Sequence, residues 1–346
     1  MKLILFNLNN LLKNKTFHLM NLMILISFLS IFLSNFIQLW LIMEINTMLL
    51  IIMMSIFNKF KKTTINYLII QSISSLSLIM LMIMNKNFNK NFMDFMIMFF
   101  FFMKLNLFPF FFGMPLINNH LNGTLIFFMS TTQKIIPLLM MNLYFNQINL
   151  KFIYMILLTT IFSSLISVLL SIKETNMKKI ITYSSMNHSA WMILIMMIDK
   201  YLFIMYFFLY SISMIFICLF FNKFKINNFN KLNNILFLNS KWMMPSIIFN
   251  LLLISSLPPF LTFLIKIKTL NVMIMNSNNF MILTLLILSI STLIFYMNIL
   301  IKIKMIFMLK IKFWLSFNLQ IKNLFFNLLM FMFMSLAMLF LISIII

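Results

Sequence analysis

Four side chains in this 346-residue chain stand where a charge is costly. They are Glu44 in LWLIMEINTMLL, Lys104 in FFFFMKLNLFPFFF, Lys134 in TTQKIIPLLMM and Lys266 in PPFLTFLIKIK, each inside an apolar run. A charged side chain at the centre of a bilayer costs roughly 2.5–3.5 kcal/mol on insertion scales. Several together rival the net stability of a small domain, about 5–15 kcal/mol. Such residues persist by pairing, by facing internal water or by exchanging protons. Burial disfavours an ammonium ion, while a nearby carboxylate favours it. A lysine held between those effects can change protonation state when a neighbouring charge moves, which is the chemistry of a proton path. His188 in YSSMNHSAW is a fifth candidate, because imidazole titrates near neutral pH. A hydrogen-bonded packing histidine is the equal alternative there. Snorkelling to the interface is an even alternative for Lys266 and the preferred reading of its neighbour Lys268.

Prolines accompany the lysines. Pro109 follows Lys104, Pro137 follows Lys134, and Pro258 and Pro259 precede Lys266. Proline removes a backbone donor and clashes with the preceding turn. Non-helical backbone at membrane depth survives only against protein or water, and broken helices are frequent at ion sites in transporters. The sequence therefore predicts helix breaks at these four prolines.

The elements that must position these groups are transmembrane helices. The chain is 63% hydrophobic and 9% charged, against about 45–50% apolar and 25% charged for soluble domains, and its mean hydropathy is +1.08. About 20 apolar residues cross the hydrocarbon as a helix. Eleven spans are predicted: 17–36, 38–57, 65–84, 92–112, 124–144, 152–171, 179–197, 201–221, 243–265, 278–300 and 324–345. All-round hydrophobicity excludes the alternation of a membrane barrel. The expected fold is an all-α polytopic membrane protein, a single transmembrane helical domain over 1–346. Residues 1–16 form an N-terminal extension, and 302–323 a lysine-rich segment along the interface.

Lysine placement orients the chain. With the N-terminus on one side, only Lys86, Lys90, Lys151 and Lys200 fall on the other, apart from the four inside apolar segments. The positive-inside tendency puts the lysine-rich side, and the N-terminus with it, in the matrix or its equivalent. Eleven spans then carry the C-terminus to the opposite face. The chain has no arginine, two glycines and 38 methionines, the signature of an AT-biased organelle genome, most simply a mitochondrial one. MKLILFNLNNLLKNK lacks the features of a cleavable signal.

Several function classes are excluded. A net charge of +22 without a soluble basic surface does not indicate nucleic acid. One cysteine, Cys218, supplies neither a disulfide framework nor a thiolate metal site. No facing histidine pair or cysteine cluster would hold haem or iron–sulfur. Gly113 and Gly123 alone cannot form a nucleotide loop. No cofactor is expected on this chain.

Five segments in order, LWLIMEIN, FMKLNLFPFFFGMP, TTQKIIP, KETNMKKIITYSSMNHSAWM and SSLPPFLTFLIK, resemble the mitochondrial NADH:ubiquinone oxidoreductase chain 2 family, the antiporter-like membrane subunits of respiratory complex I. The resemblance covers residues 40 to 270. It implies an antiporter-like fold with broken helices and eleven spans in the mitochondrial inner membrane, the N-terminus in the matrix and the C-terminus in the intermembrane space. It implies a proton-translocation axis of Glu44, Lys104, Lys134 and Lys266, with His188 at the family's histidine. Glu44 and Lys104 would form a coupled pair, Lys134 a central relay, and Lys266 the link onward. The implied complex oxidises NADH, reduces ubiquinone and pumps protons. Its NADH, FMN, iron–sulfur clusters and ubiquinone would sit in other subunits. The implied partners are neighbouring membrane-arm subunits, the lipid bilayer and lipids such as cardiolipin. The chain departs from the family where a histidine and a glutamate are replaced within Pro109–Leu116, at Thr132 for a tryptophan, and at Ser255–Ser256 for two glycines. The alternative readings are a free-standing cation/proton antiporter of related architecture, and a passive scaffold whose buried charges only pair.

Overall fold

A computed structural model describes residues 2–57, 61–84, 90–145, 150–224, 250–255, 260–275 and 279–314, and every element among them is a helix. In order these are α1 (Lys2–Leu29), closed by a 3-10 turn at Ser30–Phe32, α2 (Phe36–Phe57), α3 (Lys61–Met84), α4 (Lys90–Leu105), α5 (Gly113–Asn119), α6 (Gly123–Ser130), α7 (Thr132–Phe145), α8 (Leu150–Lys173), α9 (Met177–Ile198), α10 (Lys200–Phe224), α11 (Leu261–Met275) and α12 (Asn279–Trp314). Residues 250–255 are also helical. Among the described residues, six stretches are long and apolar enough to cross a membrane: Phe36–Phe57, Lys61–Met84, Gly123–Phe145, Phe152–Lys173, Lys200–Asn222 and Ile282–Ile299. The expected span 324–345 and the residues Pro258 and Pro259 lie outside the described residues.

Helix α9 is the centre of the bundle. It is absent from those six because Thr182, Ser184, Ser185, Asn187, His188 and Ser189 dilute its hydropathy, yet it is buried from Ile180 to Met196. Helices α5 to α8 and α10 to α12 all pack on it. A helix in lipid hides its polar groups against other helices, since hydrocarbon offers them no hydrogen bonds. Helix α8 packs on it and carries Thr160, Ser163, Ser164 and Ser167, all fully buried. Their hydroxyls bond carbonyls three residues back, and their small size lets the two backbones approach. The outer helices turn residues such as Ile37, Leu76, Phe162 and Leu219 outward.

Two expected spans are interrupted. Span 92–112 is helical only to Leu105 (α4). Asn106 then takes φ 55°, the left-handed conformation that asparagine tolerates better than most residues. The Leu107 N–H donates to Phe102 O at 3.0 Å and the Asn106 N–H to Met103 O at 3.3 Å, the paired bonds of a Schellman cap. The chain passes Pro109 in a non-helical stretch, 106–112, before α5.

Span 124–144 divides into α6 and α7 at Thr131 (φ −118°, ψ −77°). Pro137 lies inside α7 and does not break it. The predicted break at Pro137 is thus corrected to one six residues earlier. Proline's fixed φ suits a helix, and its clash is with the preceding turn, so the interruption moves ahead of the ring. There Ser130 and Thr131 donate their hydroxyls to Phe127 O (3.0 and 2.8 Å) and Thr132 to Phe128 O (3.0 Å). Such hydroxyl back-bonding bends helices and meets carbonyls that a helix end leaves open.

At the other end of the chain α12 is one helix of 36 residues, about 54 Å at 1.5 Å per residue. Residues 302–314 of the expected interfacial segment continue the span without a turn, and 315–323 lie outside the described residues. Helix α1 likewise carries residues 2–16 into the first span.

A close helix contact stands at the start of α6. A Cβ on Gly123 would stand 2.5 Å from Cys218 O and 2.8 Å from Asn222 Oδ1 of α10, whereas on Gly113 the nearest atom, on Ile70, is 3.7 Å away. Gly123→Ala is therefore expected to destabilise the chain by about 1–3 kcal/mol, the usual cost of overpacking, and Gly113→Ala to have little effect. Thermal unfolding of the two variants in the same detergent checks the contrast.

Candidate functional site

The breaks in α4 and in α6–α7 set two of the candidate lysines. Lys104 occupies the last turn of α4, where a cation meets the negative end of the helix dipole. The Asn106 amide donates to Lys104 O (3.2 Å), fixing the turn that follows. The ammonium Nζ is 3.7 Å from Glu44 Oε1 of α2, and the two side chains are 1% and 21% exposed. This is an ion pair at a length that leaves no direct hydrogen bond.

Lys134 is three residues past the break at Thr131, inside the first turn of α7, and buried. Its Nζ donates to Ser185 O of α9 at 2.6 Å. Helices α2 and α7 are clasped at this level, since the Asn46 amide donates to Thr132 O (3.1 Å) and the Gln133 amide to Asn46 O (2.9 Å). Glu44 is two residues from one end of that clasp and Lys134 one residue from the other. No hydrogen bond joins Lys104 to Lys134 among the described residues.

One turn along α9 from Ser185 lies His188, 1% exposed. Both ring nitrogens have hydroxyl partners, Nδ1 with Tyr206 of α10 at 2.9 Å and Nε2 with Tyr296 of α12 at 2.7 Å. The Tyr210 ring is 4.9 Å away between centroids. A neutral imidazole has one donor and one acceptor nitrogen, and a phenol can serve either. The trio therefore stays bonded in both tautomers, and a proton gained at one nitrogen and lost at the other crosses the ring.

A further turn along α9, Trp191 is fully buried and the Lys266 Nζ of α11 stands 4.2 Å from its ring centroid. That cation–π contact is worth about 2 kcal/mol when desolvated. Lys266 also donates to Thr292 Oγ1 of α12 at 3.3 Å. Lys268, two residues on, is half-buried.

The five candidates thus fall into two groups. Glu44 and Lys104 pair directly. Lys134, His188 and Lys266 meet one face of α9, at Ser185, His188 and Trp191, spaced three residues apart. No single charge lacks a polar or aromatic neighbour. No group of three or more His, Cys, Asp or Glu residues is placed to hold a metal ion among the described residues. Ser185, Trp191, Tyr206, Tyr296 and the buried Asp94 come to notice only in the fold. The polar spacing 185–188–191 within one span was the available signal for α9. Asp94, one of only four acidic residues, was visible but lay at the edge of an expected span.

The description of the NADH:quinone oxidoreductase/Mrp antiporter transmembrane family matches residues 34–294. The chain belongs to this family. It is a membrane protein, and the matched region holds all five candidates. Similar proteins include the NADH-ubiquinone oxidoreductase chain 2 of Aedes aegypti, 37% identical over 160 residues, 46% of this chain and 44% of the relative. That of Anopheles gambiae matches to the same extent, and that of Osphranter robustus is 29% identical over 198 residues, 57% of this chain and 56% of the relative. The chain spans about half the length of the curated relatives it matches. A chain of respiratory complex I from Thermus thermophilus with bound aureothin shares the fold at a TM-score of 0.69, with 13% identity over 82% of this chain and 70% of that one. A chain of an archaeal membrane-bound sulfane sulfur reductase shares it at 0.65, with 12% identity over 88% and 68%.

The tyrosine–histidine trio generates a test. Tyr296→Phe leaves a buried imidazole nitrogen unpaired, at about 1–3 kcal/mol. The same substitution beside His188→Leu is expected to cost less, because the nitrogen it would orphan is gone. Thermal stability of the wild type, both single variants and the double variant measures the coupling.

Proposed function

We propose that the chain is an antiporter-like subunit of the membrane arm of respiratory complex I and supplies one proton path through it. The observation that carries this reading is the arrangement of Lys134, His188 and Lys266 along α9, with the Glu44–Lys104 pair beside them. Lys104, Lys134, His188 and Lys266 are buried in protein and Glu44 is half-buried, and each has a neighbour that can hold it while its charge changes. The relatives named NADH-ubiquinone oxidoreductase chain 2 and the fold shared with a complex I chain support it.

In this reading Glu44 and Lys104 form the input pair. A proton arriving between them weakens their attraction, and the change in charge is felt at Lys134 across the α2–α7 clasp. Lys134 exchanges its proton with His188 one turn along α9. His188 passes it toward Lys266, whose ammonium form rests on Trp191. The breaks beside Lys104 and Lys134 expose backbone dipoles and admit water, as helix breaks do in transporters. NADH, FMN, iron–sulfur clusters and ubiquinone belong to other subunits, and this chain binds none of them. Neighbouring antiporter-like and small membrane subunits, and lipids such as cardiolipin, cover its outward apolar faces. The chain crosses the mitochondrial inner membrane eleven times, with its N-terminus in the matrix and its C-terminus in the intermembrane space.

Lys134→Met keeps the apolar stem and removes the exchangeable proton. Losing a positioned proton-transfer group slows a step by about 10²–10⁴-fold. The assembled variant complex is therefore expected to oxidise NADH while moving fewer protons per NADH, by this path's share. Proton uptake against NADH consumption in membrane vesicles measures it. Normal pumping by an assembled Lys134→Met complex would overturn the proton path and leave a scaffold. Proton or cation transport by the isolated chain would favour a free-standing antiporter.

A further inference from the structure

A second buried acid stands outside this path. Asp94 on α4 is 1% exposed. Its Oδ1 accepts a hydrogen bond from the Tyr144 hydroxyl of α7, and its Oδ2 is buried with no hydrogen-bond partner. Asp94 is the fifth residue of α4, past the first four N–H groups that a helix start leaves open, so it is not an N-terminal cap. Lys90 lies one turn before it, toward the start of the helix.

Position gives the pair its meaning. Asp94 precedes Lys104 by ten residues on α4, and Tyr144 follows Lys134 by ten on α7. At 1.5 Å per residue each separation is about 15 Å. Helices α4 and α7 pack together, and two anchors fix them as antiparallel: the Asp94–Tyr144 contact at one end, and at the other Lys104 beside Glu44 and Gln133 bound to Asn46 of the same α2. The two lysines therefore share one level and the acid–phenol pair another, nearer the membrane face where α4 begins. Between the levels, on the rows three and four residues apart that face the same way, stand Ile97, Met98 and Phe101 of α4 and Leu138 and Met141 of α7, all buried. An apolar layer thus separates two ionisable layers. Such constrictions conduct only while wetted.

We propose that Asp94, held by Tyr144, is the proton-exchange group between the Lys104–Lys134 level and the aqueous face at which α4 begins, with the apolar layer as the gate between them. This rests on the proton-path reading. When the layer wets, an N–H bond of a lysine ammonium at that level breaks and its proton forms an O–H bond at Asp94 Oδ2, leaving a neutral amine and a neutral acid. When the layer dries, that bond breaks toward the aqueous face and the carboxylate returns. Tyr144 keeps its proton throughout and donates to Oδ1, which leaves Oδ2 as the atom that exchanges.

Asp94→Asn separates this role from a structural one. Asparagine still accepts from Tyr144 but cannot take up and release the proton. In vesicles carrying the assembled complex, D94N is expected to slow transfer through this path by about 10²-fold and to lower protons pumped per NADH as far as Lys134→Met does. Asp94→Glu is expected to restore pumping. Normal pumping in D94N beside impaired pumping in Lys134→Met would overturn the exchange role and leave the path intact. Normal pumping in both would overturn the path itself. If D94N does not assemble, Tyr144→Phe decides. An altered solvent deuterium isotope effect on pumping supports the exchange role, and an unchanged one with only lower thermal stability overturns it.

Discussion

An ionisable side chain inside a hydrocarbon-thick bundle must find its partner within the protein, and that constraint organises this molecule. It explains an inversion in the packing. Helix α9, too polar to count among the apolar spans, is enclosed along almost its whole length, and the more apolar helices α8, α10 and α12 pack on it and turn hydrocarbon outward. In water the apolar face would be hidden; in lipid the polar one is. The three-residue spacing of Ser185, His188 and Trp191 turns that enclosed polar helix into a rail. Lys134 meets one end of it and Lys266 the other.

The interruptions of α4 and α6–α7 serve the same constraint by different local means. In α4 a left-handed asparagine closes the helix through two backbone bonds. In α6 three hydroxyls take up carbonyls at the end of the helix. Both leave a lysine within one turn of a helix end, where peptide groups are unpaired and dipoles are strongest. The Asn46 clasp then holds the restarted α7 against α2, so that the helix carrying Glu44 cannot shift independently of the one carrying Lys134. A charge change at the Glu44–Lys104 pair is therefore made beside a mechanically joined element.

Much of the candidate site was legible before any fold was known. Glu44, Lys104 and Lys134 each stand alone in apolar runs, Lys266 stands in one with only Lys268 beside it, and that isolation is a local property of the chain. The position of the second break was not legible. Pro137 was the visible irregularity, but a proline is compatible with helical φ and clashes backward, and a run of hydroxyl residues, Ser130, Thr131 and Thr132, determined where the helix gave way. Asp94 was hidden for a similar reason. Near the edge of an apolar run it reads as a surface residue, and only the packing of α4 on α7 encloses it. The sequence also places the boundary between the tenth span and an interfacial segment where the lysines begin, whereas α12 runs through it, because lysines do not end a helix.

The amino-acid sequence by itself determined that this is a helical membrane chain, which isolated side chains carry charge within its apolar runs, and that two lysine-bearing spans are interrupted. Those are consequences of hydropathy and local backbone chemistry. Only the tertiary structure decided which groups meet. Lys134 and Ser185 are 51 residues apart in the chain and His188 and Tyr296 are 108, and the bonds between them come from helices packing side by side. No local periodicity encodes such pairings, because they depend on the rotation and depth of each helix relative to its neighbours.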